Sequence, residues 1–383
     1  MGNSNAKRVL HITEVLSQAG IESFLMNVYR RIDREKVQFD FLVLRNENEF
    51  FDEEVKELGG VKYWVHSDKK NTLLRILDES RQIEKFLKKN PYDVVHIHYT
   101  TPLRAPYLHA ALVSGTSCRI YHSHSAYVSG KSKIKYLIYS YMRGRIQKWG
   151  THFFACSHAA SKWMYPTDLL AKGQDTVIPP GLEIDKFKYN SQLREKIREE
   201  LGIGDEFVII HTGRFTEQKN QSFLVHLFSE LKKTEPNSKL LLSGVGPMQE
   251  EVKELAKALG VGEEVIFLDV KPEIFPYLDA ADVYVMPSLY EGLPLAAVEA
   301  QCSGLPCIMS NLITEEVALT ENVDFLSLGD SSEIWISTIL KYKDHIRKDE
   351  SETIKKCGYD IDDIAKKMER FYISGEWQKN AED

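Results

Sequence analysis

Arg214 and Lys219 stand directly after Phe207–His211, an apolar run that reads as a strand. Gly213, between that run and the first cation, lets a neighbouring backbone or a ligand approach closely. An arginine offers phosphate oxygens a flat fork and a lysine a point charge; each charged hydrogen bond is worth about 1.5–3 kcal/mol. Two fixed cations at one strand end therefore suit a diphosphate. A salt bridge to Glu217 or another surface acid would account for them equally well. A second set lies in Asp282–Glu299. There a buried strand ends at Pro287-Ser288, a short loop carries Glu291, and a helix beginning near Pro294 carries Glu299. Proline suits a first helical position because its missing N–H would be unpaired there. A helix N-terminus just past a strand's carboxyl end is a natural diphosphate site. Carboxylates around it would accept hydrogen bonds from sugar hydroxyls, one set on a transferred sugar and one on a ribose. The plainer alternative is a solvated Glu291 and a helix-surface Glu299.

His122-Ser123-His124-Ser125 follows another strand-like run, and His96 and His98 alternate on the run before it. The latter two read as structural, with His98 at the functional end. A zinc site built on these imidazoles would need a third ligand that the neighbourhood does not clearly supply. Asp360-Ile361-Asp362 could hold a divalent ion, but it directly precedes a helical stretch, where carboxylates accept free backbone N–H groups. It is expected to be a helix cap, and no metal or other cofactor is expected.

Strand-like runs alternate with helical periodicity throughout, from Arg8–Thr13 to Thr176–Ile178 and again from Phe207–His211 to Phe325–Leu328. Such alternation implies parallel sheets of βαβ units, and continuous runs such as Val-Ile-Ile suit strands covered on both faces. At 383 residues the chain is too long for one core, so two α/β domains are expected. They are drawn at 1–187 and 205–360, with a hinge near Asp185–Asp205 and a C-terminal helix, 361–383, returning to the first domain. A net charge of −7 argues against a nucleic-acid binder working through bulk positive charge. Five scattered cysteines without CxxC spacing fit a reducing compartment. The first residues show no hydrophobic region of signal-peptide length, and no apolar run approaches the ~20 residues of a membrane span. The expectation is a cytoplasmic protein, at most peripheral on the inner face of the membrane. Lys131–Trp149 holds six basic residues, no acidic ones and interleaved aromatics. It could dock on an anionic bilayer, or be a domain helix with one core face and one basic solvated face.

The order Gly-Arg-x4-Lys, then Ser243-Gly-x-Gly-Pro247, then Asp282-Val-Tyr-Val-x-Pro-Ser-x2-Glu-Gly-Leu-Pro-x4-Glu299 resembles glycosyltransferase family 4. Gln18-Ala19-Gly20-Ile21-Glu22, Asp93–His98 and Ile178-Pro-Pro-Gly181 extend the resemblance over nearly the whole chain, in the manner of capsular and exopolysaccharide transferases. It implies a GT-B fold, two Rossmann-like doubly wound domains facing a cleft, and sugar transfer with retention, without a metal. Arg214 and Lys219 would neutralise the departing diphosphate, Glu291 would hold the donor sugar and Glu299 the ribose. Gly292, Leu293, Pro294 and Leu295 would line the cradle with Gly213, although Pro294 removes one N–H donor. Gly20 would approach the phosphate, with Ala19 replacing a usual glycine. His124 matches the family's sugar-contacting histidine better than His122. The partners implied are a nucleotide-sugar donor, preferably UDP-linked and carrying a hexose or N-acetylhexosamine, and a saccharide or lipid-linked saccharide acceptor. A nucleotide-sugar epimerase, a phosphorylase and a non-catalytic nucleotide-sugar-binding protein are the competing readings; donor release without acceptor would discriminate.

Overall fold

The computed structural model describes residues 6–17, 20–45, 49–125, 133–269, 271 and 273–377. The chain divides into two compact units, 1–181 with 360–383, and 182–359. Each is built on a wholly parallel sheet with helices between its strands.

In the first unit the strands are β1 (Lys7–Thr13), β2 (Val37–Val43), β3 (Lys62–Trp64), β4 (Val94–Tyr99), β5 (Cys118–Ser123), β6 (His152–Ala155) and β7 (Asp175–Val177). Their order across the sheet is β3-β2-β1-β4-β5-β6-β7. The second unit has β8 (Phe207–Thr212), β9 (Ser238–Ser243), β10 (Val265–Leu268), β11 (Val283–Met286), β12 (Cys307–Ser310) and β13 (Val323–Leu326), ordered β10-β9-β8-β11-β12-β13. Both are doubly wound sheets, with the order reversing between β1 and β4 and between β8 and β11. Every residue of β2, β4, β8 and β11 is buried, as strands covered on both faces require.

The helix Ile361–Ser374 closes the first unit. Ile361, Ile364, Ala365, Met368, Phe371 and Tyr372 bury one face against Val9, Phe39 and Phe41. Asp360 caps it, accepting from the Asp362 amide at 2.9 Å, and Asp362 pairs with Arg31 at 2.6 Å. The Asp-x-Asp triplet is thus taken up by a cap and an ion pair.

The domain limits drawn from sequence shift. The boundary falls between Gly181 and Leu182, so 182–187 and the expected hinge at 185–205 lie in the second unit. Ile184 and Phe187 join its core. The helix Ser191–Glu200 is fixed there by Arg194, which donates to the carbonyls of Asp279, Ala280 and Ala281 at 3.1, 3.1 and 2.7 Å and pairs with Asp282 at 2.7 Å. A cation placed on the last carbonyls of the helix Phe275–Ala280 complements its dipole.

Candidate functional site

The two motif loops of the second unit leave neighbouring strands, β8 and β11, at the point where strand order reverses. They are tied to each other. Leu289 N–H donates to Gln218 O at 2.8 Å, the Gln218 side chain donates to Tyr290 O at 2.9 Å and to Glu291 Oε2 at 3.3 Å, and Asn220 Nδ2 donates to Pro287 O at 3.2 Å. Asn220 adopts a left-handed conformation (φ 57°), which short polar side chains tolerate best after glycine. It turns the chain from the single turn Glu217–Lys219 into the helix Gln221–Thr234. A Cβ on Gly213 would press on the Lys219 stem at 3.2 Å, and one on Gly246 would strike Phe215 O at 2.2 Å. These glycines let the lysine and the Ser243–Pro247 turn lie against the Gly-Arg segment. Gln218 and Asn220 were not singled out in the sequence; their partners lie some seventy residues away.

Lys219 Nζ sits 2.7 Å from Glu291 Oε1, with the two side chains 18% and 8% exposed. The contact is an ion pair out of hydrogen-bonding alignment, since Glu291 Oε1 has no hydrogen-bond partner. Lys219 is therefore engaged inside the candidate site, by Glu291 rather than Glu217. Arg214 is exposed and forms no ion pair among the described residues. The helix Leu295–Cys302 begins one residue later than expected, with Pro294 as its cap rather than its first residue. The amides of Gly292, Leu293 and Leu295 have no partner among the described residues, leaving donors for an anion at the positive end of that helix. Glu299, within the helix, makes no side-chain hydrogen bond among the described residues, and burial raises it to about 7. Near neutrality it can both donate to and accept from hydroxyls. Beneath the loops His211 donates from Nδ1 to Val285 O at 2.8 Å; burial and then Lys219 push it down to about 4. Its bare Nε2 and the Ser288 hydroxyl are buried without partners. Neither residue was expected from sequence.

The first unit gathers five histidines, His11 on β1, His96 and His98 on β4, His122 on β5 and His124 just past its end. His11 Nδ1 lies 3.0 Å from His98 Nε2, and His98 Nδ1 lies 3.0 Å from His124 Nε2. His96 Nδ1 meets Tyr372 OH at 2.8 Å. His122 stacks on His124 with ring centroids 4.1 Å apart, and His96 stacks on His122 at 5.3 Å. Burial lowers all five, His11 and His124 to about 3, so all are neutral at physiological pH. His122 is fully buried, whereas His124 is partly exposed, which makes His124 the one of the pair open to a ligand. His11, a lone imidazole in an apolar run, escaped notice in the sequence.

Two groups bring three ring nitrogens within 4.8 Å, His11/His96/His98 and His98/His122/His124, so the third imidazole that sequence did not reveal is present. In the second group the rings tilt by 40°, 37° and 29°, and in the first by 36°, 32° and 32°. A metal lies in the plane of each imidazole that binds it. Within these two groups only His122 and His124 stack; His11 Nδ1 faces His98 Nε2 and His98 Nδ1 faces His124 Nε2, each at 3.0 Å, and nitrogens aimed at one another favour a hydrogen-bonded column. Gly20 opens the helix Gly20–Tyr29; it is exposed, and a side chain there would meet nothing within 4 Å. Glu22 in the same turn accepts from Thr13 Oγ1 at 3.0 Å. Gln18 and Ala19 lie outside the described residues, as do Lys131 and Ser132. A cavity of about 670 Å³ opens at the opposite end of the second sheet, lined by Arg194, Arg198, Asp205, Asp282 and Lys343. Its cations are spent on Asp282, backbone carbonyls and Glu235.

Comparison with known proteins follows the same division. Residues 19–186 match the model described as Glycosyltransferase Family 4, and residues 193–326 match Glycosyl transferases group 1. EpsF of Bacillus subtilis (strain 168), named as a glycosyltransferase, is 35% identical over 369 residues, covering 94% of each chain. The capsular polysaccharide biosynthesis glycosyltransferase CapH of Staphylococcus aureus is 24% identical, covering 96% of this chain and 99% of CapH. The crystal structure of Anabaena HepE in complex with UDP and glucose superposes with a TM-score of 0.73 at 17% identity, over 95% of this chain and 98% of that one. It shares the GT-B architecture. With the motif loops, both sheets and a relative matched over 94% of its length in agreement, the chain belongs to glycosyltransferase family 4.

Proposed function

We propose that the protein transfers a hexose or N-acetylhexosamine, with retention, from a UDP-linked donor to a saccharide or lipid-linked saccharide acceptor in cell-surface polysaccharide synthesis. The observation that carries this reading is the convergence of Lys219, Glu291 and the free amides before the helix Leu295–Cys302. A diphosphate arriving there would take Lys219 from Glu291 and release the carboxylate for sugar hydroxyls. Arg214, Lys219 and the helix tip would then stabilise the charge that grows on the leaving phosphate, where transfer needs help most. That cation set takes the place of a metal, and none is assigned to the reaction. Glu299 would hold the ribose, Gly20 would border the phosphate, and His124 would contact the transferred sugar. No side chain is assigned as a covalent nucleophile; attack from the face of the departing phosphate would retain configuration. HepE's complex with UDP and glucose supports the choice of UDP.

Scattered cysteines without CxxC spacing support a cytoplasmic setting, and no described helix is long and apolar enough to cross a membrane. The helix Lys133–Trp149 buries Ile146 but exposes Ile134, Tyr136, Leu137 and Tyr141, by 71, 65, 68 and 56%. Arg143 and Arg145 lie over Trp163 and Tyr141, each at 4.7 Å. An apolar exposed stretch with exposed Lys135 inside it supports peripheral docking on an anionic bilayer. Full-length protein should float with anionic liposomes at low salt; sedimentation there sinks the membrane reading. The transfer reading is tested by incubating the protein with a panel of nucleotide sugars, with and without saccharide acceptors, and reading products by NMR. Retained α-linked product from a UDP-sugar is the expected result. An isomerised nucleotide sugar, or binding without turnover across acceptors, would replace transfer with epimerisation or a purely binding role.

A further inference from the structure

His11, His98 and His124 form a file of imidazoles in which every internal contact is a nitrogen–nitrogen distance of 3.0 Å. We propose that His11 and His98 are positioning residues that hold His124 in the tautomer with its proton on Nδ1, so that His124 meets the transferred sugar as a hydrogen-bond donor. The proposal rests on the reading above that His124 faces that sugar.

A neutral imidazole carries one donor and one acceptor. His98 uses both nitrogens, Nε2 toward His11 and Nδ1 toward His124, so it must accept at one end and donate at the other. Only two proton arrangements satisfy the file. In one, His11 Nδ1–H donates to His98, His98 Nδ1–H donates to His124 Nε2, and His124 keeps its proton on Nδ1. In the other every bond reverses, and the spare proton sits on His11 Nε2. That nitrogen is buried with no partner. The second arrangement would therefore orphan a buried N–H, whereas the first leaves only a bare lone pair there. Orphaned donors are the rarer and costlier defect, so the file runs outward from His11. His122, stacked on His124 at 4.1 Å, holds the last ring in plane. His124 Nε2 is then already occupied, and its Nδ1 is a donor. Such a group hydrogen-bonds a sugar oxygen but cannot take a proton from an acceptor hydroxyl.

Nitrogen-15 NMR of the full-length, histidine-labelled protein reads each tautomer from its ring correlations without any substitution. His124 should appear as the Nδ1–H form, and in His98→Phe that preference should be lost. His124 as the Nε2–H form, or His11 protonated on Nε2 against the Phe39 ring, overturns the assignment. So does stoichiometric zinc in the same sample. Turnover supplies the second reading. His98→Phe should lower kcat about tenfold with KM little changed, the worth of one well-placed hydrogen bond. His98→Gln, whose amide both donates and accepts, should recover most of it, and equal loss in both variants would make His98 merely structural. Full transferase activity in His124→Ala would remove the sugar-facing role while leaving the tautomer result standing.

Discussion

The same feature of the fold, the reversal of strand order, is furnished in opposite ways in the two units. In the second unit the loops after β8 and β11 bear full charges, Arg214, Lys219 and Glu291, with amides at a helix tip. In the first unit the neighbouring strand ends bear histidines that burial keeps neutral. A departing diphosphate needs countercharge, and in the proposed reaction the second sheet would supply it from its loops, with Arg214 exposed to solvent. A neutral sugar needs direction rather than charge, and in the proposed reaction the first sheet would supply it from inside the strands. Buried uncharged imidazoles tolerate a core that would expel an unpaired lysine.

The comparison is broken most severely by removing the charged side. Lys219→Ala should lower kcat/KM by about 10²–10³, in line with losing one preorganised stabiliser of developing charge. Circular dichroism should still report the parent fold, with a lowered melting point because Glu291, 8% exposed, is left without its cation. Near-normal turnover would remove Lys219 from the chemistry.

Acid should separate the two units next. His11 has an ordinary pKa of 6.5 and is held at about 3 in the fold. Below 6.5 the unfolded chain binds a proton that the folded chain refuses, so stability falls as pH drops from 6.5 toward 3. By pH 5 this costs about 2 kcal/mol for His11 alone. In the second unit Glu299 and Asp279 are raised to about 7 by burial, so their protonation below 7 favours the folded form, and the two together outweigh the opposite effect of His211, held at about 4. Hydrogen exchange at pH 7 and pH 5 should show β1 and β4 losing protection while β8 and β11 hold theirs. Equal loss in both sheets would erase the contrast.

Much of this was legible in the sequence, for reasons that also mark where legibility ends. The strands announced themselves through continuous apolar runs, and the Gly-Arg-x4-Lys and Glu-x7-Glu spacings survive folding because each lies within one loop and its helix. What could not be read was pairing across distance. Lys219 meets Glu291 only once β8 and β11 lie side by side. Likewise His11 became part of a column only when β1 was set beside β4. The helix Ser191–Glu200 fell within the expected hinge because it is charged, yet its Arg194 is spent on carbonyls 85 to 87 residues further on.

The smallest of the expected effects sharpens the account of how the charged loops are held. Asn220→Ala gives up the bridge to Pro287 and puts an ordinary side chain at φ 57°, at a cost of about 1–2 kcal/mol. Asn220→Gly keeps the turn and loses only the bridge, so it should melt nearer the parent while still weakening donor binding. Identical melting of the two variants would mean that the left-handed turn contributes nothing.

The helix Ile361–Ser374 has a consequence for how the molecule is made. Met368, Phe371 and Tyr372 fill a core whose other members, Val9, Phe39 and Phe41, leave the ribosome some three hundred residues earlier. The unit begun first is therefore completed last, after the uninterrupted stretch from Leu182 to Tyr359 is already out and free to fold. Until the helix Ile361–Ser374 emerges, the half-built lobe carries an open apolar trough, and a truncation just before Ile361 would spare the second unit while ruining the first.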